Sequence, residues 1–274
     1  IWSYYKLAQT QIWWAEDVDI REDLIQWNHV LNLGEQLYLQ NIIAFLATTG
    51  GFAITDIVLG FCAKIQIPEV NEFYGAQLAT QRVHQETYSL FVSKFLFGLN
   101  NGLAIVKSLE STGMSAAKSK WMLRSVANHT LSLSTRLVGF AAAQGLFYSS
   151  SYATFCSLKA RGVMPGLCQS IALICRDQAL QTSLACHLHR ALEDKCSNAR
   201  IHTIVSEAVS LEKRHFEDIS PLVLRGITTT QMNIYIEATA DTLMQKLDAP
   251  AIYGSINPVS VIHQSKPTLT ASQF

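Results

Sequence analysis

The sequence predicts an all-α protein, and three observations carry that prediction. Apolar residues recur at helical spacing through most of the 274 residues, and no stretch shows the strict alternation of a half-buried strand. Only six prolines occur, at positions 68, 165, 221, 250, 258 and 267, so long stretches lack the residue that most strongly interrupts a helix. Two of them, Pro68 and Pro165, fall where a helix should begin, and there the missing N–H costs nothing.

Taken in order, the first helix is expected over about 2–14, within the opening IWSYYKLAQTQIWW, and the periodicity continues through 21–31 and 34–63. A long helix follows Pro68 over about 70–98, then shorter ones over 101–110 and 116–126. The next spans 130–160. The turn RGVMPGL leads into 165–194, and 199–225 and 228–247 close the body. From Asp248 the composition changes to DAPAIYGSINPVSVIHQSKPTLTASQF, which has no helical period and reads as an extended tail. The expected organisation is one helical domain over 1–247 and a tail over 248–274, with no internal repeat. The chain opens inside an element and without methionine, which predicts that its N-terminus has been trimmed.

Composition removes several classes of function. Hydrophobic residues make up 49% of the chain and charged ones 15%, so much of it is interior or interface. The 21 basic and 21 acidic residues cancel and form no basic run, which argues against nucleic-acid binding by counterion release. Residues 137–158 carry no charge and are long enough to cross a bilayer. They also hold Gln144, three consecutive serines, Tyr148, Tyr152 and Thr154, which suit a buried core helix rather than lipid. No signal peptide is visible, and the six cysteines (Cys62, Cys156, Cys168, Cys175, Cys186 and Cys196) form no CxxC pair. Reduced thiols in an intracellular, cytoplasmic protein are expected. Cys186, His187 and His189 read as CHLH, but successive helical residues face different sides, so no zinc site is expected there.

Three polar segments stand out on the long helices: QLATQRVH (77–84), GFAAAQGLFYSSSY (139–152) and CRDQALQTSLA (175–185). Di-iron carboxylate bundles draw one carboxylate from each of two helices and a Glu-x-x-His pair from each of two others. Three-residue spacing puts both members of such a pair on one helix face. Gln81-x-x-His84 and Gln178-x-x-Gln181 have that spacing. With IWWAEDVDIRED (12–23), IIAFLATTGG (42–51), EFYGAQLATQRVHQETYSL (72–90), KSKWMLRS (118–125), the LKARGVMPGL string (158–167), ICRDQAL (174–180) and YIEATADTL (235–243), the chain resembles the small, radical-generating subunit of class I ribonucleotide reductase, eukaryotic type.

The resemblance covers residues 1 to about 247 and the last few of the tail, and implies a ferritin-like helical bundle. It places the family's six iron-ligand positions on Gly50, Gln81, His84, Gln144, Gln178 and Gln181, where the family has Asp, Glu, His, Glu, Glu and His. It places the radical tyrosine on Tyr88, and the hydrogen-bonded chain towards the large subunit on Trp13, Asp177 and His84. Thr268, Leu269 and Phe274 resemble the terminal peptide that docks on the large subunit, although the relay tyrosine of the family's tail is missing after Tyr253.

Four amides and one imidazole lack the anionic oxygen that hard, buried cations require. The family uses a di-iron centre, but no cofactor is expected here, and Tyr88 reads as a core tyrosine at a vestigial radical position. Because Gln keeps the size of Glu and both donates and accepts, Gln81, Gln144, Gln178, Gln181 and His84 are expected to satisfy one another in a buried network. The resemblance then implies an accessory small subunit of ribonucleoside-diphosphate reductase, serving deoxyribonucleotide synthesis for DNA replication. It would dimerise with a metal-competent small subunit and reach the large subunit through its tail. The alternatives are a radical subunit with a modified Tyr88, disfavoured by the extra phenols Tyr148 and Tyr152, and the same fold recruited to another assembly.

Overall fold

The structure, a computed structural model, describes residues 1–49, 54–96, 113–219 and 228–257. Among these residues helices are joined by short turns and no strand forms, as the sequence predicts. The order is α1 (Trp2–Thr10), a 3-10 turn (Ala15–Asp17), α2 (Arg21–His29), α3 (Leu33–Thr49), α4 (Ile54–Cys62) and α5 (Pro68–Phe91). A π turn, Val92–Leu96, extends α5. Next come α6 (Gly113–Met122) with its own π turn (Leu123–Ala127), α7 (Leu133–Leu146), α8 (Ser149–Ala160), α9 (Pro165–Ala191), α10 (Asn198–Ile219) and α11 (Thr229–Lys246). The expected helix over 101–110 and the end of that over 199–225 fall outside the described residues.

The core is built around α7, whose residues from Ser134 to Gln144 are all buried and which packs against α9, α10 and α11. Its close approach to the π turn after α6 requires Gly139, where a Cβ would lie 2.8 Å from the Ser125 carbonyl oxygen. On the other side, α5 packs against α1, α3, α4 and α9.

Several expected boundaries move for identifiable reasons. The helix expected over 2–14 ends at Thr10, which frees Trp13 to turn inward while the Asp17 carboxylate accepts from the Trp14 backbone N–H at 2.8 Å. The expected 34–63 helix consists of α3 and α4, with residues 50–53 outside the described set. The expected 130–160 helix breaks between Leu146 and Ser149, because side chains from neighbouring helices take over its backbone groups. Lys118 on α6 donates to the Phe147 carbonyl at 2.7 Å, and Glu212 on α10 accepts from the Ser150 backbone N–H at 2.8 Å. No helix among the described residues is long and apolar enough to cross a membrane.

The RGVMPGL turn starts α9 through a partner far away in sequence. Met164 adopts a left-handed conformation (φ 56°, ψ 57°), and its N–H donates to Gln26 of α2 at 2.6 Å. Buried Asp23, also on α2, accepts from the Gly166 and Leu167 N–H groups at 2.9 and 2.8 Å, where the helix dipole favours negative charge. Burial raises the Asp23 pKa, while those backbone N–H bonds oppose the shift. At position 166 a Cβ would sit 2.2 Å from the Asp19 carbonyl, so only glycine admits this capping contact.

The first residues of the tail are not free of the body. Asp241 on α11 accepts from the N–H groups of Ile252, Tyr253 and Ser255 at 2.8, 3.0 and 3.1 Å, holding this part of the tail against the domain. Thr268, Leu269 and Phe274 lie outside the described residues.

Lys118 and Glu212 form a fully buried ion pair at 2.6 Å beside the α7–α8 break, with the ammonium 4.4 Å from the Phe45 ring centre. Burial lowers the Lys118 pKa, and Glu212 opposes that shift. Removing one charge of such a pair strands the other in the interior. Glu212→Gln should therefore cost about 3–5 kcal/mol in urea denaturation, and adding Lys118→Met should recover part of that loss. A single variant as stable as the parent would contradict this account.

His215 stacks on the same Phe45, ring centres 4.0 Å apart, and burial pushes its pKa well below the ordinary value of 6.5, with Lys118 adding to the shift. A histidine that is neutral when folded gains its proton on unfolding, so the native state loses stability as pH falls below about 6.5, by up to about 1.4 kcal/mol per pH unit. His215→Phe should flatten the fall in Tm between pH 7 and pH 5. An unchanged slope would show that other groups set it.

Candidate functional site

Helical spacing on α5 places Gln77, Gln81, His84 and Tyr88 on one buried face. The same rule on α9 places Asp177, Gln178 and Gln181 opposite them, and α7 contributes Gln144. All are buried, so each polar atom needs a partner inside the protein.

Asp177 is the hub of the site. Its Oδ2 accepts from the Trp13 indole N–H at 2.8 Å and lies 3.1 Å from His84 Nε2. Its Oδ1 accepts from Arg176 Nη2 at 3.1 Å, and Arg176 Nη2 also donates to the Gln11 carbonyl at 2.6 Å. The Trp13 and His84 rings stand 6.0 Å apart. The three residues that the resemblance marks as a relay are therefore in direct contact. His84 Nδ1 has no hydrogen-bond partner.

The expected amide network is only partly present. Gln81 Nε2 donates to Gln181 Oε1 at 3.2 Å, joining α5 to α9. Gln178 instead accepts from the Tyr152 hydroxyl at 2.5 Å, and the Gln144 carbonyl oxygen has no partner. His84 takes Asp177 rather than an amide. Gln178 fails to join the other amides because Tyr152 on α8 brings a phenol to it. Gly50 lies outside the described residues.

Tyr88 is buried with Tyr152 and Tyr148 near it, and the Tyr152 ring stacks on Tyr148 at 6.0 Å. Burial pushes the phenols of Tyr88 and Tyr152 well above their ordinary value of 10, so both stay protonated at any physiological pH. Tyr88 thus has phenols among its neighbours within the apolar core. The CHLH residues diverge, with the His187 ring against Tyr4 on α1 and His189 hydrogen-bonded to Ser134 on α7 at 3.0 Å.

Sequence reasoning missed three residues of the site. Arg176 and Gln11 fasten α1 beside Asp177, and Gln77 is 2% exposed with neither amide atom paired. The i, i+4 spacing from Gln77 to Gln81 was the available signal.

Comparison with known proteins places this geometry in context. The family described as ribonucleotide reductase, small chain, matches residues 1–258. Ribonucleoside-diphosphate reductase small chain 1 of Saccharomyces cerevisiae is 36% identical over 258 residues, which are 94% of this chain and 65% of that protein. The ribonucleoside-diphosphate reductase small chain of Nicotiana tabacum is 34% identical over 94% of this chain and 78% of its own length. This chain thus spans about 65% of the length of the yeast relative. Among solved structures, the Rnr4 homodimer of Saccharomyces cerevisiae is similar with a TM-score of 0.86 and 27% identity, over 94% of this chain and 81% of that one. The dimanganese(II)-NrdF of Streptococcus sanguinis has a TM-score of 0.83 at 13% identity, over 95% and 93% of the two chains. The ferritin-like bundle expected from the sequence is thereby shown.

One expectation is corrected. The sequence argument expected no cofactor, yet NrdF, with the same fold over nearly its whole length, is a dimanganese protein. That expectation rested on the residues at the ligand positions taken together, whereas the fold is shared with a dimanganese protein. The donors at the described positions still do not fit two hard cations. Gln81, Gln144, Gln178 and Gln181 offer neutral amides, and Asp177 already serves Trp13, Arg176 and His84.

The amides make a direct prediction. Gln81→Glu, Gln144→Glu and Gln178→Glu together would bury three carboxylates where Tyr152 donates to position 178 but the oxygen at 144 has no donor, and a buried carboxylate must be paired or take up a proton. The triple variant should melt at a lower temperature than the parent in chelator-treated buffer. An equal or higher Tm would show that the interior accepts the charge.

Proposed function

The chain belongs to the ribonucleotide reductase small-chain family, and on that premise we propose that it is an accessory small subunit of ribonucleoside-diphosphate reductase. It pairs with a metal-competent small subunit, does not generate the radical by itself, and contacts the large subunit through its C-terminal tail. The observation that carries this reading is the contrast within one site. Trp13 and His84 both contact Asp177, while Gln81 bonds to Gln181 and Gln178 to Tyr152.

Two further features support it. Tyr88 lies near Tyr152 and Tyr148, so any oxidising equivalent placed on it would face competing phenols. Exposed Ile25, Val30, Leu33 and Leu37 lie along α2 and the start of α3, in the N-terminal third through which the resemblance implies pairing. The tail supplies Leu269 and Phe274 for apolar pockets on a partner, and two tails on one dimer raise each other's effective concentration.

Reconstitution tests the proposal. Mixed with the large subunit only, the chain should give no ribonucleotide reduction, and mixed with a metal-competent small subunit it should co-elute as a heterodimer that supports activity. Deleting residues 268–274 should weaken large-subunit binding by roughly tenfold or more, the gain that bivalent tails confer, and leave small-subunit pairing intact. Turnover by the chain with the large subunit only, or unchanged large-subunit binding after the deletion, would refute it.

A further inference from the structure

A cavity of about 20 Å³ lies between α1, α5 and α9, with Ala8, Gln11, Gln77, Thr80, Asp177 and Gln181 in its wall. That is room for one water, which needs roughly 10–15 Å³ by the same measure and two to four polar partners. The partners are present. Gln77 is almost wholly buried, and neither its Nε2 nor its Oε1 has a hydrogen-bond partner. Gln11 Oε1, on the same wall, is likewise unpaired. Three unsatisfied amide atoms converge on a space the size of one molecule.

The chemistry of those atoms selects the occupant. A primary amide presents an N–H beside its carbonyl, and one water can accept from the first while donating to the second. Its other hydrogen then serves Gln11 Oε1. A monovalent cation would satisfy the two oxygens but would face the Nε2 hydrogens and the guanidinium of Arg176, which already reaches the Gln11 carbonyl. Thr80 Oγ1 donates its proton to the Ala76 carbonyl at 3.0 Å and so keeps its lone pairs. Ala8 and Gln11 form the α1 side of the cavity, and no residue of α1 is fully buried, so solvent lies close to the site.

We propose that this cavity is a specific site for a single water, held by Gln77 and Gln11, through which solvent protons reach Asp177 and the Trp13 indole bonded to it. The cavity shares Gln181 and Asp177 with the site described above, and the proposal does not depend on the accessory-subunit reading.

The test uses the whole chain. A high-resolution crystal structure should show one ordered water within hydrogen-bond distance of Gln77, and a rubidium soak should leave no anomalous peak there. By NMR, exchange of the Trp13 indole N–H for deuterium should slow on the order of tenfold in Gln77→Met, which keeps the side-chain size but removes both polar atoms. Ala8→Leu, which narrows the mouth from α1, should slow it similarly. If Ala8→Leu unfolds the chain, Gln77→Met decides the matter. Absence of density at Gln77, a rubidium peak in its place, or parent-like exchange in Gln77→Met would each overturn the proposal.

Discussion

A single buried carboxylate organises the site and fastens the N-terminal segment to the bundle. Asp177 receives Trp13 from the segment after α1, His84 from α5 and Arg176 from its own helix, and Arg176 carries the connection on to Gln11. Each of those donors would be costly to bury without a partner. The carboxylate in turn depends on them, since an unpaired charge in that position would be worse than any lost hydrogen bond. The positions of α1, α5 and α9 around the site therefore stand or fall together.

The same logic recurs on the far side of α7. Lys118 and Glu212 complete each other, and both also serve backbone groups at the α7–α8 break. Glu212 further accepts from the Ser150 hydroxyl at 2.6 Å, so no oxygen of that carboxylate is left idle. Charged side chains here do the work of helix capping from inside the core. This explains why the one stretch long and uncharged enough to suggest a membrane span is two buried helices with a wired break between them.

Between these two ionic anchors the site itself is neutral apart from the Asp177 contacts. Gln81 and Gln181 pair, Gln178 pairs with Tyr152, and Gln144 keeps an unpaired oxygen. Amides preserve the shape of carboxylates without their charge. The likeness to a dimanganese protein at 13% identity shows that the fold persists when most of the sequence changes.

Local pattern was enough for much of this. The sequence by itself determined that the chain is helical, where α5 and α9 begin, and which residues share the inner face of each, because helical period and proline placement are local properties. It also marked Trp13, Asp177 and His84, which proved to be in contact. Tertiary structure decided the rest. Asp23 caps α9 from about 140 residues away in sequence, Lys118 and Glu212 break a helix whose own residues would continue it, and Tyr152 takes Gln178 from the other amides. The orphaned pair of polar atoms on Gln77 arises only when α1 closes over α5 and α9. In each case the deciding partner is distant in the chain, and which of several possible hydrogen bonds forms depends on distances that only packing sets.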